Sequence, residues 1–208
     1  MFADSGEMME NNKKKLFVAT ANAGKLREIR DLLKGVEVFG LRDLPFDIDI
    51  EEDGDTFRAN SFKKANVLME RLGVPVLADD SGLVVDALDG RPGVYSARFA
   101  GEHASDEENT QKLLTELASV EDKDRTARFV CVMCLVMPDG TAHYAEGESE
   151  GIILRAPKGE NGFGYDPVFY VPEFDKTFSE LTLEEKNSIS HRARALSKMR
   201  EIIERILS

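Results

Sequence analysis

Two hydrophobic patterns alternate along the chain. Short apolar runs bounded by turn residues predict strands, and apolar residues that recur every three or four positions predict helices. The predicted strands are residues 16–20, 36–39, 46–50, 76–78, 83–85, 127–137 and about 141–155. The predicted helices are residues 25–34, 57–72 and 106–120, a helical turn at 182–186, and a last helix that ends near residue 207. Strands that alternate with helices indicate a layered α/β fold.

Capping residues set the predicted helix boundaries. Thr56 precedes the second helix and Ser188 precedes the last one, and both side chains suit an N-cap. Residues 1–15 are polar and show no periodicity, which predicts a mobile N-terminal extension. No internal repeat or long linker divides residues 16–208, so we expect them to form a single domain.

The composition is that of an acidic globular protein. The 208 residues include 42% hydrophobic and 32% charged side chains, and the formal net charge is -12. This charge argues against general binding to nucleic acid or to an anionic membrane, because both require a basic surface. No apolar run reaches the ~20 residues that span a bilayer, and no secretory leader opens the chain, so we expect a cytoplasmic protein.

The two cysteines, Cys131 and Cys134, have the spacing of a redox or zinc motif. They lie inside the apolar run 127–137, however, and residues three apart in a strand point to opposite faces. We therefore expect two core thiols in a reducing compartment rather than ligands of a shared metal.

The acidic pair Asp79 and Asp80 is the first candidate for chemistry. The pair follows the apolar run 76–78, and Gly82 follows the pair, which predicts a tight turn between two buried strands. Neighbouring carboxylates repel each other unless a cation or a shared proton intervenes, so this turn is a candidate metal or acid–base site. The simpler alternative is a solvated hairpin turn.

A second acidic turn, Glu51 and Glu52, precedes the second helix and is ordinarily a solvated feature. If folding brings it beside Asp79 and Asp80, three converging carboxylates would hold Mg²⁺, which accepts one or two of them and completes its shell with water and phosphate oxygens. Lys64 lies on the following helix and is otherwise an ordinary surface lysine.

The turn between the first strand and the first helix is a possible phosphate site. Backbone N–H groups, a hydroxyl, an amide and an ammonium meet there at a helix N-terminus, where the macrodipole favours an anion. The residues are Thr20, Ala21, Asn22, Ala23, Gly24 and Lys25. The turn is not a P-loop, since Ala19 and Leu26 stand where that motif has Gly and Ser or Thr. An ordinary strand-to-helix turn is the simpler alternative.

A glycine-rich loop and the region around the start of the last helix complete the candidates. The loop offers an aromatic face that can stack on a nucleobase and a carboxylate that can read its edge. These residues are Phe163, Gly164, Tyr165 and Asp166, followed later in the chain by Lys186, His191 and Arg192. Each motif alone has a structural explanation, but together they are the parts of a nucleotide-hydrolysing pocket.

The same motifs, in the same order, resemble those of the inosine/xanthosine triphosphate pyrophosphatase family, which removes deaminated purines from nucleotide pools. The matching segments are Thr20-x-Asn22-x-Gly24-Lys25 and residues 78–83, 92–98, 162–167 and 190–192. The resemblance implies a two-lobed α/β fold with a long mixed central sheet flanked by helices and an active site in the cleft between the lobes. It also implies a homodimer and an activity that depends on Mg²⁺. The reaction would hydrolyse ITP, dITP or XTP to the monophosphate and pyrophosphate.

The resemblance further implies a role for each matched residue. Asp80 would be the proton acceptor and a metal ligand, and Glu52 would be the second metal ligand. Residues 20–25 and Lys64 would contact the phosphates, with Ser81 close by. The remaining candidates would pack on and read the base: Phe163, Gly164, Tyr165, Asp166, Lys186, His191 and Arg192. Arg192 is the expected donor to O6, which distinguishes a 6-oxo purine from adenine.

One segment departs from the family pattern. The family often has Phe-x-Glu-Asn-Ala after the acidic turn, and this chain has Phe57-Arg58-Ala59-Asn60-Ser61. Two other functions stay open at this point: a related pyrophosphatase for pyrimidine or modified nucleotides, and a non-catalytic nucleotide sensor.

Overall fold

A seven-stranded mixed sheet forms the centre of the computed structural model, which describes residues 14–206. The strands are β1 (Lys14–Val18), β2 (Val36–Phe39), β3 (Val76–Val85), β4 (Thr126–Val136), β5 (Ala142–Ile153), β6 (Phe169–Val171) and β7 (Lys176–Thr177). The helices are α1 (Ala23–Leu32), α2 (Phe57–Leu72), α3 (Asp106–Glu116), α4 (Leu183–Ile189) and α5 (His191–Ile206). The sheet order is β2-β1-β3-β4-β5-β6-β7, with β1 parallel to β2 and β3 and the other pairs antiparallel.

The acidic pair lies within one strand and not in a turn, so the predicted strand–turn–strand at 76–85 is wrong. All ten residues of β3 pair with β4, from Val76 opposite Val136 to Val85 opposite Ala127. Gly82 serves close packing instead of a turn, because a Cβ added there would lie 2.2 Å from the Gly93 carbonyl oxygen. The strand continues through two carboxylates because neighbouring elements supply partners for both.

Three smaller predictions are also corrected. Residues 46–50 form no strand, although Ile48 and Ile50 pack against the core on the α2 side of the sheet. The last helix is capped by Ser190 and not by Ser188, since the Ser190 Oγ accepts a hydrogen bond from the Ala193 amide. Lys14 and Lys15 belong to β1, and the rest of the predicted extension lies outside the described residues.

Helices cover both faces of the sheet in the first lobe. On one face, α1 and α5 bury Ile29 and Met199 against a cluster that includes Cys131. On the other face, α2 buries Leu68 against a cluster that includes Cys134. The two thiols therefore face opposite sides, as predicted, and burial raises their pKa values to about 12 and about 11.

A third apolar cluster builds the second lobe around the far ends of β3, β4 and β5. It joins Leu83 and Phe129 of the sheet to Leu113 of α3 and to Phe169 and Phe178. β4 pairs with β3 and β5 over its whole length, so these three strands belong to both lobes. The mixed sheet with flanking helices confirms the predicted fold class.

Ala59, where the family often has Glu, lies in the first turn of α2 and affects how that helix is capped. Thr56 is the N-cap, and its hydroxyl accepts a hydrogen bond from the Ala59 amide. A Glu at this position would complete a capping box by reaching back to the amide of the cap residue. Both α3 and α4 have such a box, formed by Ser105 with Glu108 and by Thr182 with Glu185. α2 has only the Thr half.

We predict that Ala59→Glu raises the free energy of unfolding by about 0.3–1.5 kcal/mol, because it completes the capping box of α2. Denaturant titration of the wild type and the variant measures the difference. Ala59→Gln is the matched control, since it supplies the same hydrogen bond without adding a charge beside the acidic turn. If neither variant is more stable than the wild type, the capping explanation is wrong.

Candidate active site

A cavity of about 370 Å³ lies between the lobes and is lined by most of the predicted site residues. Those residues are Thr20, Ala21, Asn22, Lys25, Glu52, Lys64, Asp80, Ser81, Phe163, Gly164, Tyr165, Asp166, Lys186, His191 and Arg192. Ala23 and Gly24 are not part of the lining; Gly24 lies against the ring of Phe163, where an added Cβ would come within 2.4 Å of it. A larger depression of about 1240 Å³ along β5 and α5 contains none of the predicted residues.

The turn after β1 presents a lysine and a helix N-terminus to this cavity. Asn22 is the N-cap of α1, and its Oδ1 accepts a hydrogen bond from the Lys25 amide at 3.0 Å. Thr20 Oγ1 accepts a bond from the Asn22 amide at 3.2 Å. These bonds fix the turn, so that the Lys25 ammonium and the positive end of the helix dipole lie on the same side of it.

Asp79 is the most constrained charge in the site. Its Oδ2 lies 3.1 Å from the Lys25 ammonium and 3.2 Å from an Arg192 nitrogen, and it accepts a bond from the Ser81 hydroxyl at 2.7 Å. Burial alone would raise the pKa of this carboxyl, but Lys25 and Arg192 hold it far below its usual range. Asp79 therefore stays ionised and fixes both cations in place.

Glu28 belongs to the same network and had been assigned no role from the sequence. One carboxylate oxygen lies 2.7 Å from the Lys186 ammonium and the other contacts the Arg192 guanidinium. The side chain is 3% exposed, and the two cations outweigh burial and lower its pKa. Its position one helical turn after Lys25 and beside the buried Ile29 is the sequence signal that could have identified it.

The glycine-rich loop and α4 form the aromatic end of the cavity. The Lys186 ammonium lies 2.6 Å from Asp166 Oδ2 and 4.8 Å from the centre of the Phe163 ring. Asp166 Oδ2 also accepts a bond from the Phe163 amide at 3.0 Å, which fixes the loop. Burial raises the pKa of Asp166 despite the attraction of Lys186.

Tyr165 and His191 contribute differently to this end. Tyr165 is buried, and its hydroxyl donates to the Ser96 carbonyl oxygen at 2.8 Å, so its side chain anchors the loop. His191 stacks on Phe129 with the ring centres 4.8 Å apart. Burial and the nearby Arg192 lower the pKa of His191 well below its usual value, so the ring is neutral at pH 7. Among the residues that the structure describes, its Nδ1 has no hydrogen-bond partner.

Asp80 lies at the opposite end, on the other face of β3. Its carboxylate accepts bonds from the Asn60 side chain and from the Ser81 amide, both at 3.0 Å. Burial raises its pKa, and Glu52 adds to this effect, while Lys64 and Lys25 oppose it. A carboxyl with a raised pKa in a cleft is typical of a general base.

Glu52 and Asp80 both lie near the ammonium of Lys64, which the sequence had assigned to the phosphates of a nucleotide. The Lys64 Nζ lies 2.7 Å from Glu52 Oε2 and 3.7 Å from Asp80 Oδ1. Asn60 connects the two segments, because it also accepts a bond from the Gly54 amide at 2.8 Å in the acidic turn. A cation therefore already sits between these two carboxylates.

This pair of carboxylates fits Mg²⁺ better than it fits a fully protein-bound metal. Within residues 14–206, no group of three or more His, Cys, Asp or Glu side chains could hold a metal ion. The predicted convergence of three carboxylates is wrong for Asp79, because its carboxylate is paired with Lys25 and Arg192 instead. Mg²⁺ accepts one or two protein carboxylates and takes its remaining ligands from water and phosphate oxygens, so Glu52 and Asp80 would hold it once the Lys64 ammonium moves from between them.

Known proteins resemble this chain in sequence and in fold. The chain matches the Ham1 family over residues 16–202. It is 55% identical to a dITP/XTP pyrophosphatase of Desulforamulus reducens, covering 92% of this chain and 96% of the relative, and 53% identical to one of Geobacter sulfurreducens, covering 90% and 95%. The structure of the Staphylococcus aureus Ham1 protein superposes with a TM-score of 0.81 at 43% identity, covering 92% of this chain and 98% of the other.

We predict that Asp79→Asn lowers the free energy of unfolding by about 3–5 kcal/mol near neutral pH, because Lys25 and Arg192 lose a buried counter-charge. Asp47→Asn, on an exposed loop, is the matched control and should change stability by less than about 0.5 kcal/mol.

The difference between the wild type and Asp79→Asn should also depend on pH. The folded-state pKa of Asp79 is depressed, so its stabilisation is fully present above the unfolded-state pKa, near 3.8, and declines as the pH falls below that value. Denaturant titrations between pH 3 and 7 measure this difference. A difference that grows toward low pH would contradict the assigned ion pairs.

Proposed function

The chain belongs to the Ham1 family, and from this we propose that it hydrolyses the deaminated purine nucleoside triphosphates ITP, dITP and XTP to the monophosphate and pyrophosphate. The main support for this proposal is that one cavity contains both an aromatic, hydrogen-bonding end at Phe163 and a carboxylate end at Asp80 and Glu52. This arrangement suits a base at one end and a phosphate chain at the other. The names of the curated relatives point to the same reaction.

Asp80 is the residue we assign to the attacking water. Asn60 and the Ser81 amide hold its carboxylate in one orientation, and its raised pKa favours proton transfer from water. Mg²⁺ held by Glu52 and Asp80 would supply neutralisation of the triphosphate and polarisation of the α-phosphorus. Lys25 and Lys64 stabilise the negative charge that develops on the leaving pyrophosphate.

Base selection falls to the network around Arg192. Glu28 and Asp79 hold the guanidinium from two sides, so that its donors have a fixed direction. An N–H group aimed at O6 accepts a 6-oxo purine and rejects the amino group of adenine, because two donors would face each other. The neutral His191 lines the same end of the cavity, and its Nδ1 has no hydrogen-bond partner within residues 14–206.

The homodimer implied by the motif resemblance and the cytoplasmic location expected from the sequence remain predictions. None of the helices within the described residues is long and apolar enough to cross a bilayer. We propose a cytoplasmic homodimer, and light scattering should give a molar mass of twice the 23.2 kDa of one chain. A monomer at micromolar concentration would contradict the dimer.

The substrate is tested by pyrophosphate release from ITP, dITP, XTP, GTP, dTTP and UTP in the presence of Mg²⁺. We expect kcat/KM for the three deaminated purines to exceed that for GTP by at least about tenfold. Preference for dTTP or UTP would favour the alternative pyrophosphatase. Absence of turnover with any of them would favour a nucleotide sensor.

We predict that Asp80→Asn lowers kcat by about 10²–10⁴-fold, because the general base is lost while the side chain keeps its size. Steady-state kinetics measure the loss, and circular dichroism with thermal unfolding checks the fold. Asp86→Asn, an exposed acid outside the cavity, is the matched control. Near-normal turnover in Asp80→Asn would remove Asp80 from the base role.

A further inference from the structure

The charged side chains that line the cavity have no net positive charge to attract a polyanionic ligand. Five acids and five bases line it, so the formal charges cancel: Asp49, Glu52, Asp80, Asp106 and Asp166 against Lys25, Lys64, Arg98, Lys186 and Arg192. Asp79 and Glu28 add negative charge behind this lining, paired with its cations. Attraction of a triphosphate therefore depends on any cation whose charge is not already neutralised.

Arg98 is that cation. Each of the other four lining bases lies within salt-bridge distance of a carboxylate. In the part of the chain that the structure describes, Arg98 has no carboxylate partner. Its Nη2 donates to the Glu52 carbonyl oxygen at 2.9 Å, and its guanidinium lies 5.1 Å from the centre of the Tyr95 ring. Several of its five N–H donors remain available.

The segment that carries Arg98 is held firmly. Arg98 ends the 3₁₀-helix Gly93–Arg98, and within it the Ser96 Oγ accepts a bond from the Leu83 amide at 2.8 Å and donates to the Gly93 carbonyl oxygen at 2.7 Å. The Ser96 carbonyl accepts from Tyr165. The second lobe thus presents Arg98 from a fixed backbone, which limits the entropy lost when it binds a ligand.

The position of Arg98 identifies the part of the ligand that it meets. It contacts the backbone of Glu52, whose carboxylate reaches Lys64, and Lys64 in turn lies beside Asp80. Phe163 lies at the other end, with Lys186. We propose that Arg98 binds the β- and γ-phosphate oxygens and so forms the pyrophosphate-binding end of the site. The planar fork of a guanidinium matches a phosphate in two-point contact. This inference rests on the proposed function for the direction in which the nucleotide lies.

Binding of the two reaction products shows whether Arg98 contacts the pyrophosphate part of the ligand or affects the whole site. Isothermal titration calorimetry measures the Kd of pyrophosphate with Mg²⁺, and separately of IMP, for the wild type and for Arg98→Ala. We expect Arg98→Ala to raise the Kd of pyrophosphate by about 10- to 100-fold, as for loss of hydrogen bonds to a charged group. The Kd of IMP should change by less than about threefold. Arg98→Lys should give an intermediate loss, since it keeps the charge but not the fork.

Arg91→Ala is the matched control, because Arg91 lies in the same loop but is exposed and pairs with Glu116 outside the cavity. Arg91→Ala should leave both dissociation constants unchanged. Equal weakening of pyrophosphate and IMP in Arg98→Ala, or no weakening of either, would overturn the proposal. So would a wild type that does not bind pyrophosphate.

The result is distinguishable from failure of the proposed function. Turnover of ITP by the wild type tests the function alone, whereas the calorimetric ratio of the two Kd changes tests Arg98 alone and needs no turnover. If Arg98→Ala has a lowered melting temperature, Arg98→Lys decides: a pyrophosphate Kd equal to that of the wild type in a stable Lys variant would also overturn the two-point contact.

Discussion

A carboxylate buried in the middle of a strand is the constraint on which the site depends. Asp79 is 1% exposed, and an unpaired charge at that depth would not be tolerated in a folded protein. The chain resolves this by bringing Lys25 from the β1–α1 turn and Arg192 from α5 to the same carboxylate. These contacts tie two distant segments to the central strand, and Glu28 extends the network to Lys186. The same ion pairs therefore position the site residues and hold α1 and α5 against the central sheet.

Two adjacent acids do different work because strand geometry separates them. Successive side chains in a strand point to opposite faces, so Asp79 meets α1 and α5 while Asp80 meets α2. Their pKa values move in opposite directions for the same reason. Two close cations outweigh burial at Asp79, whereas burial, reinforced by Glu52, prevails at Asp80. One carboxylate is held as an anion by two cations, and the pKa of the other is raised above its usual value.

Most of the predicted site residues line this cavity, because they belong to a few short motifs that accompany elements with clear hydrophobic patterns. The periodicity of α2 and α5, the double-sided burial of β4 and the opposite facing of Cys131 and Cys134 are all visible in the sequence. The continuity of β3 through Asp79 was not visible in the sequence, because it depends on Lys25 and Arg192, which are distant in the chain. Glu28 was missed for a similar reason: a charged residue on the inner face of α1 is interpretable only once Lys186 and Arg192 are known to face it. Tyr165 was expected at the base, but its hydroxyl bonds to Ser96.

The unbroken passage of β3, β4 and β5 through both lobes limits how the cleft can move. A hinge normally consists of a few loop residues that absorb a large change in backbone angles. Here β3 and β4 contribute Asp80 and Phe129 to the cleft, β5 continues the same ladder, and a sharp bend across the three strands would break several main-chain hydrogen bonds at once. Motion is therefore confined to twisting of the sheet and to the loops along its rim. The two lobes therefore keep a nearly constant separation along these strands unless the sheet itself twists.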